Sequence, residues 1–242
     1  MMKTAILITV YNEEQNIGHL LDEIGGAFDV FVVDDGSSDD TVNVARTAGA
    51  NVIRLPLNLG QGAATIAGYK LLIEKDYDII IKMDGDGQHN PDQIPLFVEK
   101  LKETGFDIVV GSRILGADYD GAPFFRRTFL PVYTALINFL SGYRLTDSMS
   151  GFRAFRVDAL RYVIDILDNL IEPQYIASEM FIRFSKAGLT VTEVPIRMRG
   201  RKSGASYKGL VRYGWGVLRA IIRTLMDKEF RNLSDKKGGR QS

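Results

Sequence analysis

The 242-residue chain contains no cysteine, which excludes disulfide bonds and thiolate metal sites. It also has no excess of either charge, because 30 basic residues balance 30 acidic ones, so a nucleic-acid partner is not expected. No apolar run reaches the roughly 18 residues that a membrane-spanning helix requires, and any membrane contact is expected to be peripheral. The remaining composition, 45% hydrophobic and 25% charged, is typical of a globular protein.

The first apolar run of the chain, Thr4–Val10, follows a single lysine. It is too short for a signal peptide, and no small-residue cleavage site follows it. A cytoplasmic location is therefore expected. Peripheral attachment to the cytoplasmic face of a membrane is a further expectation.

The first half of the chain alternates short apolar runs with segments of helical periodicity, which predicts an α/β fold with a mostly parallel sheet covered by helices on both faces. Such sheets bind ligands at the carboxyl ends of their strands. Strands are predicted at Ala5–Val10, Val30–Val33, Asn51–Leu55, Asp78–Met83 and Asp107–Gly111, and helices at Glu14–Ile24, Asp39–Ala48, Ala63–Lys75 and Pro91–Glu103.

The second half is less regular. We divide the chain into a domain over residues 1–208 and a basic amphipathic helix with a polar tail over residues 209–242. The predicted elements are helices at Arg126–Leu140 and Glu172–Lys186, a return strand within Tyr143–Arg156, a strand at Leu189–Pro195, a basic loop at Arg197–Lys208 and a terminal helix at Val211–Phe230.

The most informative motif follows the fourth predicted strand, where Asp84, Asp86 and Gln88 place oxygen donors at alternate positions. Hard divalent cations prefer such ligands when they share their coordination shell with a phosphate. Gly85 and Gly87 let the backbone bend and a bulky ligand approach. The alternative is an ordinary turn, for which Asp and Gly are common.

Three other polar clusters follow predicted strands, namely Tyr11–Glu13, Asp34–Asp35 and Gly111–Arg113. Two adjacent acids at a strand end are costly without a partner, which favours ligand contact by Asp34 or Asp35. The alternative is helix capping, a role that Asp39 or Thr41 also fits.

The glycine-containing loop before the third helix brings Gly60 and Gly62 to the same edge, either against a nucleotide or as a tight turn. It lacks the Lys-Ser/Thr pair of a P-loop. The first strand leads into Tyr11-Asn12-Glu13 and not into GxGxxG, which argues against a nicotinamide dehydrogenase.

Seven motifs in one order resemble those of the family 2 glycosyltransferases with a GT-A fold. They are most similar to the branch of dolichyl-phosphate mannose synthases and polyprenyl-phosphate glycosyltransferases. The motifs are Thr9–Glu13, Val33–Ser37, Asn58–Gly62, Asp84–Gln88, Gly111–Arg113, Asp147–Phe152, and the segment from Glu193-Val194-Pro195 to Ser206.

The resemblance implies a GT-A, Rossmann-like domain and a donor site at the carboxyl edge of its sheet. It implies that Asp84, Asp86 and Gln88 hold Mg²⁺ or Mn²⁺ against the diphosphate. The residues predicted to contact substrates are Val10, Tyr11, Glu13, Asp34, Asp35, Gly60, Gly62, Asp84, Gly85, Ser150 and Ser206. The residues predicted to act in catalysis are Asp86, Arg113, Arg126, Asp147 and Arg201, the arginines by handling phosphate.

The basic loop departs from the family pattern Arg-x-x-Gly-x-Ser-Lys. Arg201, Gly204 and Ser206 fit it, but Tyr207 stands where lysine is usual and Lys208 comes one position later. Lys208 is therefore not assigned the role of the family's lysine. A cationic loop with glycines is suited to closing over a diphosphate or a lipid phosphate.

The expected reaction is an inverting transfer of a hexose, mannose or glucose, from a GDP- or UDP-linked donor to a polyprenyl or dolichyl phosphate. A phosphate acceptor is already anionic at neutral pH and needs no general base. A sugar hydroxyl acceptor needs one, and Asp147 and Glu179 are the candidates. The sequence leaves two further functions open, that of a nucleotidylyltransferase and that of a non-catalytic nucleotide-sugar-binding partner of a membrane subunit.

The terminal helix carries apolar residues at steps of four and three, with arginines expected on its opposite face. Such a helix suits an anionic membrane surface. The alternative is docking on its own domain or in a homo-oligomer. The apolar positions are Val211, Trp215, Leu218, Ile222 and Leu225, the arginines are Arg212, Arg219 and Arg223, and the Arg126–Leu140 segment is a second candidate for an interfacial helix.

Overall fold

The computed structural model describes residues 2–117, 124–168, 176–200 and 210–226. In these residues a seven-stranded sheet has the order β3-β2-β1-β4-β6-β5-β7, with β6 antiparallel to its neighbours and the other strands parallel. The strands are β1 Thr4–Val10, β2 Asp29–Asp34, β3 Asn51–Arg54, β4 Ile79–Asp84, β5 Ile108–Ser112, β6 Arg153–Arg156 and β7 Val191–Pro195. The helices are α1 Ile17–Ile24, α2 Thr41–Thr47, α3 Gln61–Ile73, α4 Ile94–Glu103, α5 Phe124–Ser141, α6 Val157–Asp168, α7 Ile176–Lys186 and α8 Leu210–Met226.

The central strands are buried on both faces, because successive side chains alternate between two hydrophobic cores. On β1, Ile6 and Ile8 pack in the core formed with α1 and α4, whereas Leu7 packs in the core formed with α3, α5, α6 and α7. Helices therefore cover both faces of the sheet, which confirms the predicted α/β architecture.

The predicted strands are confirmed, but one helix was missed, and the helices α1, α2 and α4 begin two or three residues later than predicted. Helix α6 was missed although Val157, Leu160 and Val163 recur at helical spacing and are buried. Helix α1 begins at Ile17 and not at Glu14, because the segment before it forms a turn in which the Asn16 N–H donates to the Glu13 carbonyl at 3.0 Å.

Helix α8 packs on α7, and its buried side chains are Ala220, Ile221 and Thr224, not those of the predicted apolar stripe. Ala220 and Thr224 are buried, and the Thr224 hydroxyl donates to Glu179 on α7 at 2.8 Å. The large apolar residues Trp215, Leu218, Ile222 and Leu225 are exposed.

The prediction that the arginines of this helix lie opposite the apolar stripe is wrong. At about 100° per residue, Arg219 and Arg223 lie beside the stripe, and the docked face lies opposite it. The boundary predicted at residue 208 lies outside the described residues, so the division into two parts stays a prediction. Among the described helices, none combines the length and the apolar character needed to cross a bilayer.

Candidate active site

The Asp84–Gln88 segment lies at the carboxyl end of β4, beside the end of β1. The Gly85 N–H donates to the Thr9 carbonyl at 3.1 Å. A Cβ atom at Gly85 would lie 2.2 Å from a methyl group of Val10, so the close approach of the ends of β1 and β4 requires glycine here. Tight packing against β1 therefore fixes the direction in which Asp84 and Asp86 leave the sheet.

The Asp84 carboxylate is held by two donors on the same oxygen. Its Oδ1 accepts from the Gln61 amide at 2.6 Å, at the start of α3, and from the Lys82 ammonium on its own strand. Its Oδ2 faces Gly151, where a Cβ atom would lie 2.4 Å from that oxygen. The loop that contains Asp147–Phe152 is thus packed against Asp84, which joins two of the sequence motifs.

The donor set at this edge fits a divalent cation that is shared with a ligand. Asp84 and Asp86 are half-buried, and the Asp86 Oδ1 accepts from the Gln88 N–H at 3.1 Å. Among the described residues, no group of three or more His, Cys, Asp or Glu side chains is arranged to hold a metal ion. Two carboxylates and one amide suit Mg²⁺ or Mn²⁺ only when phosphates and waters complete the shell.

The loops that follow β1 and β2 are hydrogen-bonded to each other. The Asn12 N–H donates to Ser37 Oγ at 2.9 Å, the Ser38 N–H donates to Asn12 Oδ1 at 2.9 Å, and the Glu13 N–H donates to Thr41 Oγ1 at 2.8 Å. Asn12 has a positive φ of 53°, a conformation that asparagine tolerates better than most residues. These contacts place Tyr11 and Glu13, both half-buried, next to the end of β2.

Asp34 and Asp35 are both buried, and both have protein partners. Asp34 accepts from the N–H and hydroxyl of Ser37 and lies 3.6 Å from the Arg54 guanidinium. The Asp35 carboxylate accepts from the N–H groups of Leu59 and Gly60, each at 2.8 Å. The cost of burying two adjacent acids is therefore met within the protein, and contact with a ligand is not needed to explain them.

Burial raises the pKa of Asp35, the two N–H donors act in the opposite direction, and the neighbouring Asp34 adds to the increase.

The hydrogen bonds from Leu59 and Gly60 to Asp35 also hold the loop before α3 in place. Gly60 has a φ of 95°, which requires glycine, and Gly62 is buried in the first turn of α3. Both predicted glycines therefore lie where the sequence places them, at the start of a helix beside β2.

Arg113 and Asp147 form a bidentate ion pair. The Arg113 Nε donates to Asp147 Oδ2 at 2.6 Å and its terminal nitrogen donates to Oδ1 at 2.8 Å, with Asp147 fully buried. The backbone of this loop is held by Glu193 on β7, whose Oε1 accepts from the Asp147 N–H at 2.9 Å. Sequence reasoning did not identify this role of Glu193, because its partner lies 46 residues away and no local pattern connects them.

Glu179 is the other carboxylate predicted as a candidate base. It is fully buried, pairs with Arg183 at 3.4 Å and accepts from Thr224, so it joins α7 to α8. Ser150 is buried in the Asp147–Phe152 segment, where its Oγ accepts from the Phe152 N–H at 3.3 Å.

Three predicted residues are not covered by side-chain geometry. Arg126 belongs to α5, but its side chain lies outside the described part of the structure. Arg201 and Ser206 lie outside the described residues altogether, as do Tyr207 and Lys208.

His89 is a buried residue of the site that sequence reasoning did not single out. Its Nδ1 accepts from the Asp84 N–H at 3.1 Å, and its ring stacks on Phe152 with a centroid distance of 5.0 Å. Burial lowers its pKa from 6.5 to about 4, against the attraction of Asp84 and with the help of Lys82, Arg113 and Arg153. A neutral imidazole therefore supports the backbone at Asp84.

The chain is similar to known proteins over most of its length. The undecaprenyl-phosphate mannosyltransferase of Micrococcus luteus is 34% identical over 216 residues, 85% of this chain and 87% of that protein. A UDP-N-acetylglucosamine–dolichyl-phosphate N-acetylglucosaminyltransferase of Methanococcus voltae is 30% identical over 213 residues, 79% of this chain and 84% of that protein.

Among solved structures, a glucosyl-3-phosphoglycerate synthase of Mycobacterium tuberculosis, in complex with Mn²⁺, UDP and glucosyl-3-phosphoglycerate, matches with a TM-score of 0.65 at 21% identity. The match covers 93% of this chain and 79% of that chain, and it confirms the predicted GT-A fold. The family model of glycosyl transferase family 2 matches residues 5–164. The chain therefore belongs to glycosyl transferase family 2.

Proposed function

We propose that this glycosyltransferase moves a hexose from a nucleotide diphosphate sugar to a polyprenyl or dolichyl phosphate, with inversion at the sugar carbon. The names of the two relatives support this acceptor class, since one is an undecaprenyl-phosphate and the other a dolichyl-phosphate transferase. Mannose and glucose are the sugars that we favour, on a GDP or UDP carrier.

The edge formed by β1, β2 and β4 is the proposed donor site. We assign the base and ribose to Tyr11, Glu13 and Asp35, and the diphosphate to the side of Asp84 and Asp86. When bound, Mg²⁺ or Mn²⁺ would neutralise charge that develops on the departing diphosphate. Asp86 and Gln88 would hold that ion together with Asp84.

Asp34 is fully enclosed by protein partners, and we assign it the role of holding the Ser37 turn beside the donor. Gly60 and Gly62 bring the start of α3 to the same edge, and Gly85 allows Val10 to lie close to the proposed metal ligands. The guanidinium groups of Arg113, Arg126 and Arg201, with the Ser206 hydroxyl, are proposed to contact phosphate groups, as planar guanidinium groups commonly do.

The acceptor class is supported by the state of the two candidate bases. A hydroxyl acceptor needs a carboxylate that can take a proton, whereas a phosphate acceptor is already charged. Asp147 is fully buried with both oxygens bound by Arg113, and Glu179 is fully buried against Arg183 and Thr224. Neither is arranged as a general base, which favours a phosphate acceptor; this is the observation that carries the proposal.

We also propose that the outer surfaces of α5 and α8 contact the membrane that holds the acceptor. On α5, Val132, Leu136 and Phe139 form one exposed apolar stripe, with Phe139 84% exposed. On α8, Trp215 is 70% exposed and the stripe runs beside Arg219 and Arg223, an arrangement suited to anionic lipid headgroups.

Helix α5 also contacts the active site through its inner face. The hydroxyls of Thr134 and Ser148 lie 3.0 Å apart, and the Asn138 side chain exchanges hydrogen bonds with the backbone of Leu145 at 2.8 and 3.0 Å. The helix proposed to contact lipid is therefore directly bonded to the loop that holds Asp147. A cytoplasmic location, a membrane subunit and a homo-oligomer remain predictions.

The reaction is tested with purified protein, Mn²⁺ or Mg²⁺, a panel of GDP- and UDP-sugars, and two matched acceptors, a polyprenyl phosphate and the corresponding free polyprenol. We expect a sugar-linked polyprenyl phosphate and release of nucleoside diphosphate only with the phosphorylated acceptor. Transfer to a hydroxyl acceptor without transfer to the phosphate would refute the acceptor class. Release of pyrophosphate would indicate a nucleotidylyltransferase, and no product with any donor would favour a non-catalytic binding protein.

The membrane surface is tested by sedimentation with anionic vesicles. Phe139→Ser should weaken association by roughly thirtyfold, the loss of about 2 kcal/mol of apolar burial, without lowering stability. Leu96→Ser is the matched control, because Leu96 is an exposed leucine of α4 on the opposite side of the sheet. Equal effects of the two substitutions would refute the assignment of this surface.

A further inference from the structure

Lys82 is a buried cation that the proposed reaction does not use. It lies on β4 two residues before Asp84, so both side chains extend from the same face of the strand. The residue is 5% exposed, and its ammonium group donates to Asp84 Oδ1. A buried lysine is rare unless it is paired, and Asp84 supplies the pair.

A second buried cation lies beside it. Arg153 on β6 is the direct cross-strand partner of Lys82 and is also 5% exposed. Its guanidinium lies 4.8 Å from the centre of the Phe181 ring and donates to the Ser148 carbonyl at 3.2 Å. Like charges on directly opposite strand positions repel each other, so the carboxylate of Asp84 offsets a local excess of positive charge.

This arrangement limits what Asp84 can offer to a metal ion. Its Oδ1 already accepts from Lys82 and Gln61, and a divalent cation that approaches the carboxylate meets an ammonium group bonded to the same side chain. Among the described residues, no third His, Cys, Asp or Glu joins Asp84 and Asp86 in a group that could hold a metal ion, which makes the loss of one oxygen more serious. The repulsion is strong because Lys82 is shielded from solvent.

From these contacts we infer that Lys82 keeps the cation site weak until the donor diphosphate is present. The negative charge of the diphosphate compensates both the incoming cation and the Lys82–Arg153 pair, so cation and nucleotide bind with positive coupling. Lys82 is thus a positioning residue whose charge makes metal binding conditional on donor binding. The inference rests on the proposed function, because it assumes that Asp84 and Asp86 hold the cation beside a diphosphate.

The test is a titration of Mn²⁺, followed by the electron paramagnetic resonance signal of the free ion, with and without UDP or GDP. Lys82→Met removes the charge and keeps the length of the side chain, and Lys82→Arg keeps the charge. Lys102→Met, at an exposed position of α4, is the matched control. Thermal melting shows whether each variant is folded, and Lys82→Gln replaces the methionine variant if that variant is not.

We expect Lys82→Met to tighten Mn²⁺ binding in the absence of nucleotide by tenfold or more, since a buried charge next to the ion is removed. With nucleotide present the affinity should change much less, so the tightening caused by nucleotide shrinks by about the same factor. Lys82→Arg and Lys102→Met should behave like the unmodified protein.

The outcomes separate the two proposals. Suppose that the unmodified protein binds Mn²⁺ more tightly with nucleotide. If the Lys82→Met and Lys82→Gln variants then match the affinities of the unmodified protein, both with and without nucleotide, the role of Lys82 is refuted and the metal site stands. If the unmodified protein binds no Mn²⁺ even with either nucleotide, the metal-dependent function is refuted and the inference with it.

Discussion

The buried, neutral His89 predicts a specific loss of stability in mild acid. In the folded protein its pKa is about 4, whereas an unfolded chain has the ordinary value of 6.5. As the pH falls, the unfolded chain therefore takes up the proton first. The stability that His89 contributes is fully present above pH 6.5, is lost as the pH falls towards 4, and changes no further below that value.

The magnitude follows from the difference between the two pKa values. A difference of about 2.5 between them corresponds to about 3.5 kcal/mol of unfolding free energy, at about 1.4 kcal/mol for each tenfold change in proton affinity. Between pH 7.5 and pH 4.5 the loss attributable to this residue is about 2.5 kcal/mol. Urea unfolding measured at several pH values gives this free energy directly.

His89→Gln isolates the contribution from all other titrating groups. Glutamine keeps an acceptor for the Asp84 N–H but has no charge to gain, so its stability curve should be flatter than that of the unmodified protein by about 2.5 kcal/mol over this range. His19→Gln is the matched control, because His19 is exposed on α1. Parallel curves for the unmodified protein and His89→Gln would refute a buried neutral imidazole at this position.

Three further predictions concern the site itself. Gly151→Ala should lower turnover about a hundredfold, because its Cβ atom would lie 2.4 Å from Asp84 Oδ2 and displace the carboxylate by about 1 Å. Gly105→Ala is the control and should have no effect, because the space around Gly105 is open. Equal turnover of the two variants would contradict the contact between Gly151 and Asp84. Asp86→Ala should abolish transfer and change the unfolding free energy by less than about 0.5 kcal/mol, and activity retained in this variant with EDTA present would disprove the metal role. Asp147→Asn should reduce the unfolding free energy by about 3 kcal/mol, because it breaks the buried ion pair with Arg113, and should lower the melting temperature by about 9 °C. An unchanged melting curve would show that this ion pair does not stabilise the protein.

The parts of the fold that follow from local periodicity were predicted correctly. Apolar runs bounded by polar clusters identified the strands, and the parallel sheet then required their carboxyl ends to lie at one edge. For this reason the sequence alone predicts that Tyr11, Asp35 and Asp84 lie near one another. The Asp84–Gln88 segment does lie at the end of β4, although a ligand there stays a proposal.

The contacts that were missed connect residues far apart in the chain. Arg113 was predicted to bind phosphate and Asp147 to act on a substrate, but the chain between them gives no sign that they pair with each other. Lys82 is different, since the period of a strand places it beside Asp84 and its burial was predictable from the apolar residues around it.

The faces of the terminal helix were misjudged for a third reason. The apolar stripe of α8 left two alternatives open, a membrane surface or docking on protein, and its arginines were expected on the opposite face. In the structure Ala220, Ile221 and Thr224 are buried instead, and the residues of the stripe are exposed. Hydrophobic periodicity reports which side chains share a face; it does not report whether that face meets protein or lipid.

The central claim is that the end of β4 holds a divalent cation against the donor diphosphate. The most direct measurement is a crystal structure of the protein with Mn²⁺ and its nucleotide sugar, using the anomalous signal of manganese to locate the ion. We predict one strong peak about 2.1 Å from a carboxylate oxygen of Asp84 or Asp86 and from a diphosphate oxygen. A bound nucleotide sugar with no manganese at these carboxylates would contradict the account.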